Sequence, residues 1–166
     1  METLAELGYG TIDLVCVNLY PFEAVAARRP PVSDAELIEM IDIGGPTLIR
    51  TAAKNFPHVI VVVDPADYTW VSERMAGRGL SQEERKALSA KAFQHVAHYD
   101  TMVAEYLRDD DNLLPQQLTA GMTRVQELRY GENPHQRGAF YTLDSVRTPV
   151  VGMGDYTQHH GKAMSY

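Results

Sequence analysis

The sequence predicts an α/β fold, with a parallel sheet flanked by helices, followed by a segment of different character. Three observations carry this. Two short apolar runs rich in β-branched residues, Ile12–Leu19 (IDLVCVNL) and His58–Val63 (HVIVVV), are continuous rather than alternating. Such runs suit strands of a parallel sheet covered on both faces. Helix-start signals lie between and after them. From about residue 113 onward only short strand-like pieces and loops follow.

The elements can be justified in order. The first strand is stopped by Tyr20-Pro21, because proline removes a backbone donor. Ser33-Asp34-Ala35-Glu36 is a capping box that opens a short helix through Met40. Gly44-Gly45-Pro46 opens a second helix, Thr47–Lys54, with proline suited to its first turn. The second strand ends at Asp64-Pro65, an N-cap and first residue for a helix reaching about Met75. Ser81-Gln82-Glu83-Glu84 is another capping box and starts the longest helix, to about Leu107. Its apolar positions Leu88, Ala92, Phe93, Val96, Met102, Val103 and Tyr106 recur at helical spacing and read as core. Asp109-Asp110-Asp111-Asn112 is a solvated break, and the composition changes over residues 110–127. No internal repeat or low-complexity segment is present.

Composition bounds the function. The chain has 166 residues, 45% of them hydrophobic and 22% charged, enough for one domain with a real core. A net charge of −7 argues against nucleic acid or an anionic membrane as partner. The single cysteine, Cys16, rules out an internal disulfide and a cysteine-built zinc site and fits a reducing compartment. No run approaches the roughly eighteen apolar residues of a membrane span, and no signal pattern opens the chain. These features predict a cytoplasmic protein.

Four groups could carry chemistry. Asn18 and Tyr20 alternate at the carboxyl end of the first strand, where open α/β sheets bind ligands, and could hold a polar heterocycle. They could equally cap loop backbone. Asp42 precedes Gly44 and Gly45 at a helix start, where exposed N–H groups favour an anion and a carboxylate can serve as acceptor or base. The plainer reading is a tight turn in which Asp42 bonds loop amides. Arg50 and Lys54 share one helix face amid Leu48, Ile49, Ala52 and Ala53. A partly buried lysine there suits proton transfer, although a solvated basic stripe is the commoner case. The stretch Leu128–Arg137 (LRYGENPHQR) offers Arg129 as a forked donor to phosphate or carboxylate, Tyr130 for stacking, and His135 for proton exchange. A polar interdomain linker would have similar composition. His159-His160 is a lone pair, weak as a metal site, and reads as a plain surface loop.

The blocks DLVCVNLYPFE, IDIGGPTLIRTAAKN, VVVDPADY and LRYGENPHQRGAFY, in this order and spacing, resemble the bifunctional purine biosynthesis family. That family joins an inosine monophosphate (IMP) cyclohydrolase domain to an aminoimidazole carboxamide ribotide formyltransferase (transformylase) domain. The terminal GKAMSY resembles the family's Gly-Lys-x-Leu-Ser-Tyr segment, with Met164 in place of leucine. The resemblance implies a methylglyoxal-synthase-like α/β fold over residues 1–126, and the start of a cytidine-deaminase-like transformylase domain over residues 127–166. It implies a multifunctional transferase and hydrolase of de novo purine synthesis. One activity moves a formyl group from 10-formyltetrahydrofolate to the ribotide amine. The other closes the product to IMP and needs no cofactor. It implies Tyr20, Asp42 and Lys54 as catalytic residues of ring closure, with Asn18, Gly44 and Gly45 binding substrate. Arg129, Tyr130 and His135 match the motif that grips the transformylase ribotide. It also implies a homodimer.

The family's N-terminal phosphate loop and its catalytic Lys-His pair have no counterpart among these residues, and Met1–Gly10 reads like the end of an internal helix. The chain is therefore expected to be a middle piece, incomplete for either reaction. Two other readings remain: a non-catalytic anion-binding regulatory module of the same α/β type, and a degenerate interaction protein. Joint retention of Tyr20, Asp42, Lys54 and Arg129 counts against the latter.

Overall fold

The computed structural model describes residues 6–109, 111, 112, 114–147 and 152–165. Of the stretches named above, Met1–Ala5, Asp110 and Tyr166 lie outside the described residues. In chain order the elements are strand β1 (Leu14–Cys16), helices α1 (Phe22–Ala26), α2 (Asp34–Ile38) and α3 (Gly44–Lys54), and strand β2 (Ile60–Val62). A 3-10 turn (Pro65–Asp67), helices α4 (Tyr68–Ala76) and α5 (Gln82–Leu107), strands β3 (Gly121–Glu127) and β4 (Ala139–Asp144), and a 3-10 turn (Met153–Asp155) follow. The chain divides into two compact units, residues 1–21 with 33–97, and residues 22–32 with 98–166. No helix among the described residues is long and apolar enough to cross a membrane.

The first unit is α/β. β1 and β2 pair in parallel, with Leu14 opposite Ile60 and Cys16 opposite Val62. The ladder runs one bond further each way, Ile60 N to Asp13 O (2.8 Å) and Val17 N to Val62 O (3.0 Å). The paired region is shorter than either apolar run, and it is not covered on both faces throughout. β2 is wholly buried, whereas β1 is half-buried and Cys16 is exposed. Each strand pairs only with the other among the described residues, and β2 is buried because the core residues of α3, α4 and α5 gather on it, whereas Leu14 and Val15 of β1 are only partly buried against that core.

The core gathers β2 with Ile49, Ala52 and Ala53 of α3, Val71 of α4, and Leu88, Ala92 and Val96 of α5. On α3 and α5 these fall at helical spacing, which gives each helix one apolar stripe. Ser89 of α5 donates its hydroxyl to the carbonyl of Ala53 (2.7 Å), joining the two helices inside the core.

Local signals set the helix starts. Ser33 Oγ accepts from Glu36 N (3.2 Å) at α2. At α5 the box is reciprocal: Glu84 N donates to Ser81 Oγ (3.2 Å) and Ser81 N to Glu84 Oε2 (2.8 Å). Asp64 accepts from Ala66 N (2.9 Å), but it opens a 3-10 turn, and α4 begins only at Tyr68. Phe93 departs from the expected core stripe. It is 39% exposed, with the Arg50 guanidinium 5.6 Å from its ring centre.

The second unit is built differently. Phe22 of α1 is fully buried and packs edge-on against Tyr99 and Tyr106, with ring centres 6.2 and 5.7 Å away. β3 and β4 form an antiparallel pair with an irregularity between Arg124 and Gln126. Glu105 accepts from Ser145 Oγ (2.7 Å) and Val146 N (2.9 Å), which fixes the chain leaving β4.

Candidate functional site

At the carboxyl end of β1 the chain continues extended. Val15, Val17 and Leu19 pack toward the core, whereas Cys16, Asn18 and Tyr20 face outward. This two-residue alternation puts the Asn18 amide and the Tyr20 phenol on one exposed side. Asp42 lies against the same stretch. Its Oδ2 accepts from Tyr20 N (3.3 Å) and its Oδ1 from Gly45 N (2.7 Å). The carboxylate therefore joins the strand end to the first turn of α3, and takes up one of the N–H groups that a helix start leaves unpaired.

Glycine at 45 is what lets it sit there. A Cβ at that position would lie 2.6 Å from Asp42 Oδ2 and 2.7 Å from Leu19 Cδ2, whereas one at Gly44 would meet nothing. Of the two glycines the sequence offered, only Gly45 is required by close approach.

Lys54 is placed apart from this pair. It ends α3, and the ten residues after Gly44 carry it about 15 Å along the helix axis. The helix returns the chain from the carboxyl end of β1 toward the start of β2. Lys54 is exposed, and so is Arg50. The expectation of a partly buried lysine does not hold, because the buried face of α3 is Gly45, Ile49, Ala52 and Ala53.

Residues the sequence reading did not single out complete this edge. Tyr68, at the start of α4, donates its hydroxyl to Asn18 Oδ1 (2.6 Å). The Cys16 sulfur beside it raises the phenol pKa above the usual tyrosine range; desolvation adds to this and the Asn18 bond opposes it. The turn leading into Tyr68 is clasped from α5. Lys91 Nζ lies 2.6 Å from Asp64 Oδ2 and 2.7 Å from Asp67 Oδ2, and Trp70 Nε1 donates to Asp67 Oδ1 (3.0 Å). The Lys91 bond, followed by the Ala66 amide, holds the Asp64 carboxyl below its usual range. Desolvation works to lower the Lys91 ammonium, but its bonds to the two aspartates outweigh it and leave it raised. The only sequence signal for this cluster is the block VVVDPADY. Nothing local in it announces a partner fifty residues upstream.

The second unit holds the other set. Gly131 N donates to Gln136 O (2.7 Å), Gln136 N to Asn133 O (2.9 Å), and Asn133 N to Gln136 Oε1 (2.9 Å). The stretch GENPHQ is thus a tight connection between β3 and β4. Glu127 and Arg137 pair across its base. Arg129 donates Nε to Ala163 O (2.6 Å), its backbone N to Met164 O (3.2 Å), and an Nη to Ser165 Oγ (3.5 Å). Its guanidinium also lies 5.3 Å from the Tyr130 ring centre. The arginine thereby draws together the RYGENPHQR and GKAMSY segments, and part of its fork is committed within the chain. His135 is exposed at the turn.

In the same unit His98 stands between two carboxylates, Nδ1 3.1 Å from Glu23 Oε1 and Nε2 2.9 Å from Asp144 Oδ2, and Thr123 Oγ1 donates to Asp144 (2.8 Å). Desolvation raises the Glu23 carboxyl; the nearby His98 opposes this and Asp144 adds to it. Glu23 and Asp144 border a cavity of about 640 Å³ that none of the candidate site residues named from the sequence lines.

Comparison with known proteins decides the family. Residues 52–166 match the family described as the AICARFT/IMPCHase bienzyme. The chain belongs to this family. It is 46% identical over 166 residues to the bifunctional purine biosynthesis protein PurH of Pediococcus pentosaceus, covering all of this chain and 32% of that protein. To PurH of Deinococcus radiodurans it is 47% identical over 167 residues, covering 98% of this chain and 31% of the relative. The chain thus spans about a third of the length of the curated bienzymes it matches. Among solved structures, the crystal structure of ForH is 41% identical, with a TM-score of 0.52 over 62% of this chain and 54% of its own.

Proposed function

We propose that this chain is part of a bifunctional enzyme that completes inosine monophosphate, and that its sheet edge serves ring closure. The observation that carries this reading is the Asp42 carboxylate, oriented by two backbone N–H groups beside an exposed phenol and amide, in a chain 46% identical to a bifunctional purine biosynthesis protein. Closure requires the carboxamide nitrogen to attack the formyl carbon and lose one proton, the former formyl oxygen to be protonated, and the formamide nitrogen to lose its proton as that oxygen leaves as water. Asp42 takes the proton from the carboxamide nitrogen, the Tyr20 hydroxyl donates to the oxygen, and Asn18 aligns the substrate carboxamide. Lys54, at the far end of α3, contacts a different part of the same elongated ribotide. Gly44, with open space where a Cβ would stand, lets that ligand approach the helix start, and Gly45 gives the Asp42 carboxylate its place.

The anion-binding module is less well supported, because the Gly45 N–H it would use already holds a carboxylate. In the second unit we assign Arg129, Tyr130 and His135 to the ribotide of a formyl transfer from 10-formyltetrahydrofolate. The methylglyoxal-synthase-like and transformylase folds, the boundary at 126/127, the cytoplasmic setting, the homodimer and the absence of nucleic-acid partners belong to the same reading. The net charge of −7 supports the last of these.

The test uses the full-length enzyme carrying this chain. Asp42→Asn is expected to cut ring closure by roughly 10²–10⁴-fold, and Lys54→Ala to reduce it without altering the melting temperature, since Lys54 is exposed. Unchanged turnover in both variants would refute the assignment.

A further inference from the structure

We infer that Tyr68 is a positioning residue of the ring-closure site, which fixes the Asn18 amide so that its NH₂ group faces the ligand and its oxygen faces the protein. This rests on the reading of the sheet edge given above. An asparagine amide offers one acceptor oxygen and two N–H donors, and an exposed one can turn over to present either. Here the oxygen is taken by the Tyr68 hydroxyl at 2.6 Å, a short bond even for an O–H donor. With the oxygen turned to Tyr68, it is the NH₂ group that the amide presents to substrate. The site then selects a ligand with a carbonyl or other acceptor opposite Asn18, and disfavours one with a donor there. A formylated carboxamide, which carries two carbonyl oxygens, fits this requirement.

Two further features keep Tyr68 where it can do this. Its position follows from the turn Asp64–Asp67, which is held on both aspartates by Lys91 and on Asp67 by the Trp70 indole. The bond also spans the carboxyl ends of β1 and β2, the side of a parallel sheet where ligands sit. The Cys16 sulfur beside the phenol favours its protonated, donating form.

The experiment is a double-mutant cycle in the full-length enzyme carrying this chain, read by steady-state ring closure and by melting temperature. Tyr68→Phe keeps the ring and removes the donor. It is expected to raise KM about fivefold, with kcat within about twofold and the melting temperature unchanged, as for one lost hydrogen bond that orients a binding group. On an Asn18→Ala background the same change should have no further effect, because its target is gone. Asn18→Asp, which still accepts from Tyr68 but presents no N–H, should lose at least as much as Asn18→Ala. A Tyr68→Phe penalty that persists in full on the Asn18→Ala background, or no penalty with Asn18 intact, would overturn the proposal while leaving the ring-closure reading standing. If Asn18→Ala and Asp42→Asn both leave turnover intact, the ring-closure reading itself fails and the Tyr68 role falls with it.

Discussion

At the sheet edge, Asp42 is bonded by Gly45 three positions away and by Tyr20 22 positions away, and Asn18 by Tyr68 50 positions away along the chain. In the connection between β3 and β4, the bonds that shape GENPHQ close over three to five residues. Both regions are polar, exposed and rich in groups able to do chemistry, but they respond to change differently. The edge depends on the parallel pairing of β1 with β2 and on the packing of α3, so its geometry is a property of the whole first unit. The connection is set by its own glycine, amides and proline and keeps its shape through local bonds.

Glycine substitutions break the comparison most sharply. Gly45→Ala would drive a Cβ into Asp42 and Leu19, and is expected to cost about 1–3 kcal/mol while displacing the carboxylate that ring closure needs. Gly44→Ala, one residue earlier with open space around it, should be neutral or stabilising by up to about 1 kcal/mol. Chemical denaturation of the two variants side by side checks this; equal effects would mean that Asp42 does not rest on the turn as described. Gly131→Ala meets Gln136 Cβ at 3.0 Å and the Arg137 carbonyl at 3.2 Å. A loss of about 1 kcal/mol is expected, with changes in amide exchange confined to residues near the connection. Spread of the exchange changes through the first unit would contradict its local character.

The smallest effect is electrostatic. Asp64 has its carboxyl pKa lowered in the folded chain, so its stabilisation is present above its ordinary value of 3.8 and fades as pH falls below that. Lys91 is raised, so its contribution is present below 10.5 and fades as pH rises through its folded value. Lys91→Met should therefore lower stability between about pH 4 and pH 10.5, by less than about 1 kcal/mol because the groups are partly exposed. The gap between variant and parent melting curves should close below that range and above it.

How much could be read beforehand follows from the same contrast. The strands, their parallel pairing and the capping boxes at Ser33 and Ser81 were legible, because continuous β-branched runs and S-x-x-E patterns act over a few residues. The 3-10 turn before α4 was not, because Asp64-Pro65 caps either kind of helix start. Asp42 was visible through its diglycine, although the sequence could not say which glycine mattered. Of the two readings open for Lys54, the solvated one holds and the partly buried one does not, since Ile49, Ala52 and Ala53 lie on the buried face of the helix and Lys54 does not. Tyr68 and Lys91 were invisible, because their partners are brought close only by folding. The clasp on His98 was missed for the same reason, as Glu23 and Asp144 lie 75 and 46 positions from it.

The sole thiol of the chain, Cys16, is solvent-accessible and stands next to Tyr68. A fluorophore or spin label attached there would mark one defined location, with no competing sulfhydryl in the chain to remove first. Its signal would report directly whether a molecule has arrived at the end of the first strand.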